Sequence, residues 1–127
     1  MENSAVKKVL VVDDHEEYRQ SVRQALKNFN VEIIEAKDGK EAVEIFTKKF
    51  KNERFDLITM DYLMPELDGA QTVIKIREID KTVPIICISA SIKIMRPQVK
   101  HFEYMYFLDK PLDSKQLIQI VEDLELG

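Results

Sequence analysis

Five times along this chain, a short apolar run gives way to a longer stretch in which apolar residues recur at helical spacing. The first run, Lys7 to Asp14, holds four consecutive apolar residues, three of them valines, and stops at two adjacent acids. A run without polar alternation suits a strand covered on both faces, as in a parallel sheet. Further runs lie at Val31 to Ala36, at Phe55 to Met60, at Val83 to Ser89 (with Pro84 at its beginning) and at Tyr104 to Leu108. Between them, Tyr18, Val22, Ala25, Leu26 and Phe29 predict a helix over Glu16 to Phe29. Ala42, Val43, Phe46 and Phe50 predict a second, and Ala70, Val73, Ile74 and Arg77 a third, capped by Asp68. Leu117, Ile118, Val121 and Leu124 predict the last. Between Ser91 and Glu103 the pattern is thinner. Pro97 fits a first helical turn, so a short helix is expected from about Pro97 to Phe102. The alternation predicts an α/β fold, a doubly wound (βα)5 arrangement of five parallel strands with helices on both faces.

A length of 127 residues suits one domain, 1–127, and 45% apolar content supplies a core. A net charge of -4 weighs against direct nucleic-acid or membrane-surface binding. The single cysteine, Cys87, excludes an internal disulfide and reads as a buried small hydrophobe. No stretch is long enough to span a bilayer, and Met1 to Lys8 lacks signal-peptide character, so a cytoplasmic location is expected.

In a parallel sheet all carboxyl ends lie on one side, where open α/β sheets bind ligands. Asp13 and Asp14 end the first strand, Asp61 the third, Ser89 the fourth and Lys110 the fifth. Three carboxylates brought together repel one another, and a divalent cation with oxygen ligands relieves the repulsion. Mg2+ is the natural candidate because it takes one or two carboxylates and keeps waters for a phosphate. With Lys110 and the Ser89 hydroxyl opposite the acids, the set describes a phosphoryl-transfer site with Asp61 as nucleophile. His15, between the acids and the first helix, reads as a solvated loop residue rather than a ligand.

These pieces resemble the receiver domain of two-component response regulators over nearly the whole chain. The resemblance rests on Val-Val-Asp-Asp ending the first strand, Met-Asp-Tyr-Leu-Met-Pro-Glu-Leu-Asp-Gly at the third, Ser89-Ala90 at the fourth and Lys110-Pro111 after the fifth. It implies a flavodoxin-like strand order 2-1-3-4-5. It also implies that Asp61 accepts a phosphoryl group from a histidine kinase or histidine phosphotransfer protein. Asp14 would then bind Mg2+ directly and Asp13 mainly through water, with the Leu63 backbone carbonyl completing the metal site and Lys110 and Ser89 holding phosphoryl oxygens. Such a protein is a phosphoacceptor assisting its own phosphorylation and dephosphorylation, rather than an enzyme. A cis Lys110-Pro111 bond is expected as well.

The chain departs from the family pattern in three places. Ser89 stands where threonine is common, Phe107 where the switch aromatic is often tyrosine, and His101-Phe102-Glu103 where a Gly-Ala pair is common. The sequence ends soon after its last helix, so no attached output domain is expected. The phosphorylated state would be read by a downstream protein target or through self-association. The expected surface is helix 4, strand 5 and helix 5, with Phe102, Tyr104, Tyr106 and Ile120 on it. Three other functions compete. A haloacid dehalogenase-type phosphohydrolase resembles Asp-x-Asp at the nucleophile, and Leu63 breaks that pattern. A flavodoxin phosphate loop is rich in Ser and Thr, unlike Asp13-Asp14. A receiver-like interaction module that is never phosphorylated stays open as the alternative.

Overall fold

The computed structural model describes residues 6–126; Met1 to Ala5, most of the stretch read as lacking signal-peptide character, lie outside them. The elements alternate as β1 Lys7–Val12, α1 Glu16–Ala25, β2 Val31–Ala36, α2 Gly39–Phe50, β3 Leu57–Met60, α3 Gly69–Ile79, β4 Ile85–Ser89, α4 Ile92–Val99, β5 Met105–Asp109 and α5 Ser114–Asp123. The five strands form one parallel sheet in the order β2-β1-β3-β4-β5, the flavodoxin-like order.

Successive residues of a strand face opposite sides of a sheet, and here both sides are apolar. Leu10, Val12, Ile58, Met60, Ile85 and Cys87 point to one side and pack with Phe46 of α2, Val73 and Ile76 of α3, and Met95 and Val99 of α4. Val9, Val11, Leu57, Ile86 and Ile88 point to the other and pack with Val22 of α1 and Leu117 and Val121 of α5. This two-sided burial is the physical reason that the strands read as unbroken apolar runs. Cys87 is fully buried in the first cluster, and burial pushes its thiol up to about 12, so it is an inert packing residue.

Several boundaries differ from the sequence expectation. The fourth helix begins at Ile92, not Pro97, and Pro97 lies inside it. Ile92, Met95 and Val99 bury one stripe, and this burial outweighs the proline. The ring removes one helical bond, to the Lys93 carbonyl, and both Lys93 and Pro97 are exposed. The first helix stops at Ala25, leaving Phe29 to pack against the second cluster from the following turn. Tyr104 is not part of β5. It has φ 62, a left-handed conformation unusual for a bulky residue. Its carbonyl and that of Glu103 receive Arg77 Nη2 at 3.3 and 2.9 Å. Arg77 is 2% exposed; burial lowers its pKa, opposed by nearby Asp80. It ties the end of α3 to the start of β5 in a way that neither segment signals locally.

The β3–α3 turn is tight. The Gly69 amide donates to the Tyr62 carbonyl at 2.7 Å, and α3 opens on a capping box between Asp68 and Gln71. A Cβ on Gly69 would overlap the Asp61 carbonyl oxygen and lie 2.9 Å from Met95 Cε. The glycine is therefore required by close approach. Gly69→Ala is expected to lower stability by about 1–3 kcal/mol, the usual cost of overpacking, as measured by urea unfolding. A variant as stable as the parent would show that the turn relaxes freely.

Candidate functional site

β1 and β3 are adjacent, but the chain leaves them on opposite faces of the sheet. Their carboxyl ends therefore open a crevice at the switch point. Ladder bonds fix the acids that line it: the Asp13 amide donates to the Ala36 carbonyl, and the Asp61 amide to the Val12 carbonyl, each at 3.1 Å. The Lys110 amide donates to the Ser89 carbonyl at 3.1 Å, which places the lysine beside the end of β4. The Lys110-Pro111 bond is cis.

Lys110 then reaches across the rim. Its Nζ lies 2.8 Å from Asp13 Oδ2 and 3.2 Å from Asp61 Oδ2, with all three side chains at most 8% exposed. The same ammonium sits 3.6 Å from the centroid of the Tyr18 ring, a cation–π contact. One buried cation thus joins two buried anions from different strands. Asp14, the third acid, is half-buried. Its Oδ1 is shielded from solvent and accepts no hydrogen bond from the described residues. His15 Nδ1 lies 3.1 Å from that oxygen, and the His15 amide donates to Asp13 Oδ1 at 3.0 Å. Asp13, Asp14 and His15 offer one donor atom each, all within 4.8 Å of one another. Asp61 is linked to them through Lys110. An orphaned carboxylate oxygen inside an excess of negative charge fits a cation.

Asp61, Ser89, Lys110, His15 and Tyr18, together with Leu63, Ala90 and Ser91, line a cavity of about 180 Å³, large enough for a phosphoryl group and a few waters. The Ser89 hydroxyl accepts from the Ser91 amide at 2.9 Å, leaving its proton free to donate. Leu63 is 65% exposed at the mouth. A larger groove of about 480 Å³ between α1 and α5 has no comparable convergence of charged groups. Phe107 lies away from the cavity, half-buried against the first core cluster, with the Arg96 guanidinium 5.1 Å above its ring.

Two contributors escaped the sequence reading. Tyr18 registers there only as part of an apolar stripe. Arg19 Nη1 donates to the Asp13 carbonyl at 2.6 Å, while its other nitrogens bind Glu35 and Glu16, which also bind Arg23. This closed ring of two arginines and two glutamates holds the acidic loop from behind.

The profile of the response regulator receiver domain matches residues 9–122. The chain belongs to this family. It is 34% identical over 120 residues to the chemotaxis protein CheY of Treponema pallidum, covering 92% of this chain and 81% of that protein. It is 32% identical over 117 residues to the transcription factor prr1 of Schizosaccharomyces pombe, covering 91% of this chain but only 21% of that longer protein. Among solved structures, it superposes with TM-score 0.81 and 31% identity on a chain of the CheX-CheY-BeF3-Mg+2 complex from Borrelia burgdorferi, covering 95% of this chain and 90% of that one. This receiver domain is thus a module of two-component systems, found in small CheY proteins and within larger regulators.

In the receiver domain, Lys110 offsets two buried carboxylates at once. Lys110→Met should leave both uncompensated and cost about 3–5 kcal/mol in denaturant unfolding. Adding Asp13→Asn to that variant should recover part of the loss, giving a coupling of about 0.5–3 kcal/mol in a double-mutant cycle. Strict additivity would show that the two groups do not interact in solution.

Proposed function

We propose that residues 1–127 form a receiver domain in which Asp61 is the phosphoacceptor. The carrying observation is the single buried lysine held between Asp13 and Asp61 at the edge of a cavity of phosphoryl size. The donor is a histidine kinase or histidine phosphotransfer protein. An Asp61 carboxylate oxygen forms a bond to phosphorus as the P–N bond to the donor imidazole breaks, and that electron pair stays on the departing nitrogen. Lys110 Nζ and the Ser89 hydroxyl donate to phosphoryl oxygens, where negative charge must be neutralised. Lys110 is already aimed at Asp61, so this needs only that it exchange Asp13 for the incoming group. Asp13, Asp14 and Asp61, with the Leu63 carbonyl, are the groups that would hold Mg2+, which when bound adds positive charge beside the phosphoryl oxygens. The domain assists its own phosphorylation and dephosphorylation and performs no other catalysis in this reading.

The signal leaves through α4, β5 and α5, toward a downstream protein or a second copy. Phe107 is the switch aromatic. It responds to movement of Ser89 and carries the Arg96 contact with it. Supporting the surface are Tyr104, 47% exposed, and Ile94, 59% exposed, with Phe102, Tyr106 and Ile120 half-buried around them. Neither nucleic acid nor membrane is a direct partner in this account: the net charge is -4, and among the described residues no helix is long and apolar enough to cross a membrane. A cytoplasmic location accords with this reading. The competing reading, an interaction module never phosphorylated, would leave the lysine–acid arrangement without a chemical use.

Incubation with acetyl phosphate and Mg2+ should add one phosphoryl group by intact mass, and Asp61→Asn should abolish the gain. An unchanged gain in that variant, or none in the parent protein, would overturn the assignment. With a phosphoryl mimic bound, amide-exchange rates should change from Ser91 to Ile120 as well as at the rim; changes confined to the rim loops would refute the proposed output surface.

A further inference from the structure

His15 carries a consequence for which metal this site takes, and the inference rests on the phosphoacceptor reading above. Two donor atoms bound at right angles to one metal with bonds of about 2.0–2.1 Å stand about 2.9 Å apart. His15 Nδ1 and Asp14 Oδ1 are separated by 3.1 Å, close to that span, and His15 Nδ1 and Asp13 Oδ1 by 3.7 Å. The nitrogen and the Asp14 oxygen do not meet in hydrogen-bonding geometry: Asp14 Oδ1 is buried without a donor. Asp13 Oδ2 is already committed to Lys110. Asp14 Oδ1 and His15 Nδ1 thus stand as neighbouring donor atoms at this end of the crevice, neither of them hydrogen-bonded to the other.

The ring is also held in place. Its backbone amide is bound to Asp13 Oδ1 at 3.0 Å, and the imidazole and the Tyr18 ring meet in a T-shaped contact, centroids 5.6 Å apart at 88°. The side chain is 57% exposed, so Nδ1 can face the acids while the rest of the ring faces solvent. Imidazole is a poor ligand for Mg2+ and a good one for the borderline divalent ions. We propose that His15 Nδ1 is a direct ligand to the cation at Asp13–Asp14, and that it biases this receiver toward a first-row transition ion, Mn2+ through Zn2+, over Mg2+.

The test uses the full chain and His15→Ala at about pH 7.5, titrated calorimetrically with Mg2+ and with Ni2+, together with electron spin-echo spectra of each protein loaded with Mn2+. The expected result is Ni2+ binding weakened about tenfold or more in the variant, with Mg2+ binding within about twofold of the parent. Nitrogen modulation of the Mn2+ echo should be present in the parent and lost in the variant. Equal Ni2+ affinities, or modulation absent from the parent or surviving in the variant, overturn the proposal while Mg2+ binding leaves the phosphoacceptor reading intact. If neither protein binds either metal, both readings fall together.

Discussion

The contact on which the proposed chemistry depends is the buried Lys110 ammonium between Asp13 and Asp61. Taking three charged groups out of water is costly, and one cation cannot neutralise two carboxylates with a third beside them. The site therefore retains net negative charge at the sheet rim, where the fold leaves an opening. A hydrophobic replacement of similar volume would often be more stable than such a cluster. Its persistence makes sense if the excess charge is there to be met by a cation and the lysine by an anion. Tyr18 below the ammonium and the Arg19 ring behind the acidic loop hold these groups at contact distance without neutralising them.

The rest of the fold serves to bring those groups together. Asp13 and Lys110 are 97 residues apart and meet because parallel pairing puts every strand's carboxyl end on one side. Apolar packing on both faces fixes the strands, and Gly69 lets α3 start against the Asp61 carbonyl. Near the far end of α3, Arg77 donates to the Glu103 and Tyr104 carbonyls and so ties that helix to the entrance of β5, the strand that carries Lys110 at its other end.

Much of this was legible in the sequence because its strongest signals are local. The second strand runs from Val31 to Ala36 as its apolar pattern indicates, and the strand-ending charges at Asp13, Asp61 and Lys110 mark the rim directly. The sequence misplaces the start of the fourth helix because a proline is a local signal, whereas the buried Ile92–Met95–Val99 stripe acts through tertiary packing. Tyr104 reads as a strand residue, but its φ of 62 takes it out of the strand, while its carbonyl accepts both from the Ile85 amide at 3.0 Å and from the buried Arg77, distant in sequence. Tyr18 looks like a core aromatic, since its closeness to Lys110 exists only in three dimensions, and His15, although next to Asp14 in the chain, gives no local sign that its Nδ1 comes to 3.1 Å from that carboxylate.

The most direct measurement is a Mg2+ titration of the uniformly 15N-labelled chain followed by amide spectra. The account predicts that the first and largest shifts fall at residues 13, 14, 61–63, 89 and 110, scattered in sequence and adjacent in space, with one common dissociation constant. Shifts that instead spread over surface acids such as Glu44, Glu78 and Glu122, with those rim amides unmoved, would contradict it.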